Sequence, residues 1–127
     1  MNLIIKSVQK SWMEPEERGY TAISFSLEEK PKSVVYLSDD KDYSNSFNYH
    51  ICFGESLSDQ ELECIGRGIV SFLQPGWNLL TCGEDNSEKK RLYNFFLKSP
   101  FLEDTGCLRT LHGGNLYKIL KKKFTDD

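Results

Sequence analysis

The chain has 127 residues, 39% of them hydrophobic and 13% aromatic, with a net charge of −3. That length fits one domain able to bury roughly two-thirds of the surface its unfolded form exposes, and the eight Phe and six Tyr exclude a disordered chain. No window approaches ~18 consecutive apolar residues, so a membrane span is excluded. The N-terminal residues also lack the apolar core of a signal peptide.

Leu3 to Val8 is short, apolar and free of Gly and Pro, and it reads as a first strand. Glu14-Pro15-Glu16-Glu17-Arg18-Gly19 is a turn, because Pro fixes φ and Gly permits positive φ. Tyr20 to Leu27 alternates, with Ile23, Phe25 and Leu27 on one face and Ser24 and Ser26 on the other. Glu28-Glu29-Lys30-Pro31-Lys32 reads as a polar connection and Val34 to Leu37 as a third strand. Ser38 to Ser46 is polar and acidic, the pattern of a loop. Phe47 to Phe53 is the clearest strand: Phe47, Tyr49, Ile51 and Phe53 share one face, and Asn48, His50 and Cys52 the other.

After Leu57 the spacing changes from two to helical. Ser58-Asp59-Gln60-Glu61 fits a capping box. The helix that follows buries Leu62, Ile65, Ile69, Phe72 and Leu73, and Gly66 and Gly68 permit a close backbone approach. Gln74-Pro75-Gly76 stops it. Trp77 to Cys82 is a strand, with Trp77 directed to the core. A second helix starts at Asp85-Asn86-Ser87-Glu88, shows Leu92, Phe95 and Phe96 on its apolar face, and ends at Pro100. Cys107 to Leu111 and Leu116 to Leu120 form a hairpin around Gly113-Gly114, with a C-terminal helix from Asn115 as the alternative. The order β-β-β-β-α-β-α-β-β predicts an α+β fold: a mostly antiparallel sheet with both helices packed on one face. Loop lengths leave the strand order open.

Charge is uneven along the chain. Residues 1–58 carry six basic and nine acidic side chains, whereas residues 106–127 carry five and two. An acidic surface repels phosphate backbones, so direct nucleic-acid binding is not expected. Lys121, Lys122 and Lys123 read as a solubilising terminus. Cys52, Cys64, Cys82 and Cys107 form no C-x-x-C pair; they read as reduced, partly buried side chains of a cytoplasmic protein. No cofactor and no metal site is expected.

Candidate chemistry is sparse. His50 and Cys52 lie two apart on one strand, as a zinc site or thiol–imidazole pair would need, but the remaining partners would come from afar. Cys82 precedes a helix start, where a thiol is activated, with His112 as a conceivable base. Two acidic segments each adjoin an aromatic: Trp12 with Glu16 and Glu17, and Asp39, Asp40 and Asp42 with Tyr43. Acids steer a basic partner and the ring supplies an anchor. The sequence therefore points to a protein-binding module of immunity or antitoxin-type inhibitor character, covering a basic protein such as a nucleic-acid-cleaving toxin. That expectation rests on size, charge and the lack of a catalytic constellation. The alternatives are a small cysteine-dependent enzyme and a homo-oligomeric structural or regulatory subunit; monomer and homodimer both remain open.

Overall fold

The computed structural model describes residues 1–10, 20–39, 44–83, 87–110 and 114–124. Four strands come first: β1 (Leu3–Lys10), β2 (Tyr20–Leu27), β3 (Lys30–Asp39) and β4 (Ser46–Phe53). Helix α1 (Asp59–Phe72), β5 (Asn78–Thr81), helix α2 (Ser87–Lys98), β6 (Leu102–Thr110) and β7 (Leu116–Lys122) follow. All seven strands form one sheet in the order β1-β2-β3-β4-β5-β7-β6. Among the described residues the β4–β5 pair alone is parallel, and the other five pairs are antiparallel. The expected α+β architecture, with its element order, is thus present.

Alternation explains which side of the meander is buried. Phe25, Leu27, Val35 and Leu37 are buried, and Tyr49 continues their row on β4. One apolar cluster joins these residues to both helices and to β5, β6 and β7, so both helices cover the same face. The Tyr49 ring meets Phe96 of α2 edge-on, with centroids 5.5 Å apart. Its hydroxyl lies 2.6 Å from that of Thr81, which satisfies both polar groups in the core, and burial raises the Tyr49 pKa.

The capping box at Ser58 is formed. Its hydroxyl accepts from the Glu61 N–H at 3.2 Å, and the Glu61 carboxylate accepts from the Ser58 N–H at 2.8 Å. The two α1 glycines also act as expected. A Cβ at Gly66 would lie 2.6 Å from the Phe95 ring, and one at Gly68 would collide with Leu3. Gly66 therefore lets α2 approach α1, while Gly68 lets α1 settle on the sheet.

Three details differ from the sequence reading, and one alternative it left open is decided in favour of the strand. Strand β3 begins at Lys30 rather than Val34, because Glu28 and Glu29 alone make the turn. Pro31 is tolerated near a register shift beside Ser26 and Leu27, where the ladder is irregular. Strand β6 begins at Leu102, ahead of the expected Cys107, and Asp104 pairs with Lys118 of β7 at 2.9 Å. Residues 116–122 are a strand, so the helical alternative is not adopted. Finally, Lys121 and Lys122 are not a loose terminus. They belong to β7, and the Lys122 ammonium donates to the carbonyls of Val70 and, at 3.1 Å, Leu73. Helix α1 has no basic residue in its own last turn, so Lys122 supplies the cation that its negative end favours.

Candidate functional site

Of the residues that carry the acidic-loop expectation, Asp39 is described. It closes β3, is exposed, and pairs in register with Phe47. Trp12, Glu16, Glu17, Asp40, Asp42 and Tyr43 lie outside the described residues. Topology nevertheless fixes where both segments join the sheet. In an up-and-down meander, alternate connections share an end. Lys10 pairs with Tyr20, and Asp39 with Phe47, so the β1–β2 and β3–β4 connections leave the same end of the sheet. The Glu28–Glu29 turn lies at the opposite end.

Beside that end lies the helix-free face of the meander. Cross-strand register arranges β2, β3 and β4 into three rows: Ala22–Ser38–Asn48, Ser24–Tyr36–His50 and Ser26–Val34–Cys52. None of these nine residues is charged, although 28% of the chain is; His50 and Cys52 are exposed, Ser26, Val34, Tyr36 and Asn48 half-buried, and Ala22, Ser24 and Ser38 buried. Lys6, opposite Ser24, adds one charge from β1. Solvated sheet faces use charge to stay solvated. Tyr, Ser and Asn instead supply amphipathic area and adaptable hydrogen bonds, the chemistry of contact surfaces. This patch was readable in the alternation of β2 and β4, but only the register shows that the uncharged positions adjoin.

A groove of about 620 Å³ lies between the two helices on the outer side. Leu62, Val70, Phe95 and Phe101 give it an apolar floor, and Arg91 and Lys98 lie on its rim. Arg91 is already committed. Its guanidinium donates to Asp59 at 2.6 Å, Glu88 at 2.7 Å and the Leu57 carbonyl at 3.0 Å, tying α2 to the start of α1. Nothing in the local sequence pattern signals this groove, because it depends on how the helices pair.

The cysteine readings fare differently. Cys82 is only 2% exposed, so a substrate would not reach its sulfur, and His112 lies outside the described residues. Cys52 is exposed rather than packed. Its register neighbour is Val34, and that of His50 is Tyr36, neither of which is a ligand for a zinc ion. Among the described residues, no three His, Cys, Asp or Glu side chains converge as a metal site would need. Also among them, no helix is long and apolar enough to cross a membrane.

No protein-family profile, no curated protein and no solved structure matches this chain.

Proposed function

We propose that this protein is a binding module that occludes a basic surface on another protein, in the manner of an immunity or antitoxin-type inhibitor. The carrying observation is that the strands bounding both acidic, aromatic-flanked segments end together at one end of the sheet. Trp12, Glu16, Glu17, Asp39, Asp40, Asp42 and Tyr43 would then belong to a single contact region. The adjoining uncharged rows support this reading, since the centre of an interface is poor in charge while its rim is polar. Acidic groups at the rim accelerate encounter with a basic partner, and the rings then fill its cavities. The proposed mechanism is steric cover with electrostatic steering. It involves no bond-making step and places the protein in the cytoplasm with its partner.

The test is capture of partners by the tagged full chain from native lysate, at low and then moderate salt, read by mass spectrometry. One stoichiometric basic protein that is lost as salt rises supports the proposal. Replacing Asp39, Asp40 and Asp42 together by Lys should then slow association at low salt by about 10-fold or more. An unchanged association rate would remove the loop end from the contact surface, and the absence of any stoichiometric partner would overturn the reading itself.

A further inference from the structure

The two edges of the sheet are built differently. Strand β6 is the protected edge. Its register with β7 breaks between Asp104 and Leu108, and Glu103, Asp104 and Arg109 distribute charge along it. The Asp104 carboxylate accepts from the Gly106 N–H at 2.9 Å. Bulges and charge are the devices by which sheets avoid unwanted pairing. Strand β1 lacks the bulge: it makes eight consecutive pairs with β2 without a shift, contains no proline, and carries two charges, Lys6 in its middle and Lys10 at its end.

The direction of its backbone groups follows from one hydrogen bond. The Glu28 N–H donates to the Asn2 carbonyl at 2.9 Å, so that carbonyl faces β2. Direction alternates along an antiparallel strand. Ile4, Lys6 and Val8 therefore also address β2; the Ser24 hydroxyl, which donates to the Lys6 carbonyl at 3.4 Å, agrees. Leu3, Ile5, Ser7 and Gln9 turn their N–H and C=O groups away from the sheet. Ile5, Lys6 and Ser7 are exposed, and Ile5 leaves 48% of its surface in water.

We propose that β1 is the docking edge for a second copy of this chain, paired antiparallel about a two-fold axis at Ile5. Self-complementarity selects this occupant and this register. An axis at Lys6 would oppose two ammonium groups, which destabilises a cross-strand pair. An axis at Ser7 leaves Ile5 opposite Gln9, and an axis at Ile4 shortens the overlap by about two residues, since register sums differ by two. The axis at Ile5 brings the two exposed Ile5 side chains together and sets Leu3 against Ser7. It also sets Lys6 against Ile4, whose surface the Lys stem can cover. The two sheets become one, and the acidic-segment ends point in opposite directions, each free to meet a partner. Two paired strands bury less than the ~1,600 Å² of a standard interface, so association depends on concentration.

Sedimentation equilibrium of the full chain, from about 1 µM to about 1 mM, tests this. The expected result is a monomer–dimer equilibrium that Ile5→Lys weakens at least ~10-fold, as like charges meet at the axis. Ser7→Pro should weaken it similarly, since it removes an outward donor that β2 does not use. Far-UV circular dichroism of both variants should match the parent. With Cys52 and Cys107 replaced by Ser, Ile5→Cys should form a disulfide-linked dimer on mild oxidation, because the facing Cα atoms of such a pair lie ~5.5 Å apart. Monomer mass at every concentration would overturn the proposal, as would a dimer indifferent to both edge substitutions. Crosslinking through Ile4→Cys instead would overturn the assigned axis.

Discussion

The two faces of the β1–β4 meander are written by the same strands, yet they do opposite things. One face presents Phe25, Val35, Leu37 and Tyr49 to the helices and is buried. The other carries no helix; it presents Ser26, Tyr36, Asn48, His50 and Cys52 at least partly to water, while Ser24 is buried. Period-two alternation assigns residues to faces. It does not say what the second face is for. The choice of residues there is informative in its own right, since uncharged polar side chains replace the lysines and glutamates that would merely keep it wet.

Four experiments would break or sharpen this contrast. The largest effect belongs to the covered face. Phe96→Ala should cost about 3–5 kcal/mol, since the ring is 1% exposed and packs on Tyr49. Cys52→Ser on the open face should stay within about 0.5 kcal/mol. Urea denaturation of both variants checks this, and equal losses would mean that the open face is a second core. An intermediate effect belongs to the helix contact: Gly66→Val should cost about 1–3 kcal/mol, because the Phe95 ring already occupies the space a side chain would need. A thermal midpoint at or above that of the parent would show that α2 can shift without loss.

The smallest effect lies at the α1 cap. Ser58→Ala should cost about 1 kcal/mol in the same titration. The cap also sets a pH dependence. The Ser58 N–H and the Lys30 ammonium hold the Glu61 pKa below its ordinary 4.5. A lowered carboxylate pKa means that the folded state binds its proton less readily than the unfolded state. The stabilisation is therefore complete above pH 4.5 and is lost as pH falls through the depressed folded-state value. Glu61→Gln should flatten the decline of the melting temperature on this acid limb, and an undiminished slope would assign it to other carboxylates.

Much of the architecture was legible because local rules agreed with it. The Phe47–Phe53 alternation, the Ser58–Glu61 box and the two helical faces each name their own element. The polar starts of β3 and β6 were not legible. Lys30-Pro31-Lys32 and Glu103-Asp104 look like loop in isolation, and they become strand only through partners far away in sequence. The strand order was hidden for the same reason. No local pattern says that β7 inserts between β5 and β6. The acidic segments were legible as composition. That the strands bounding them end together needed the meander, and the open edge at Ile5 needed the direction of a single carbonyl.

The insertion of β7 also sets an order of events during synthesis. The first four strands pair with their neighbours in sequence and can form a sheet as they emerge. Strand β5 cannot be enclosed until β7 arrives, and the end of α1 receives its cation from Lys122, 49 and 52 residues beyond the carbonyls it serves. While the ribosome is still making the second half, the α1 terminus and one side of β5 face water or a chaperone. Closure is thus held back until Lys122 has left the ribosome, and a ribosome stalled before that point carries a meander with an unfinished core.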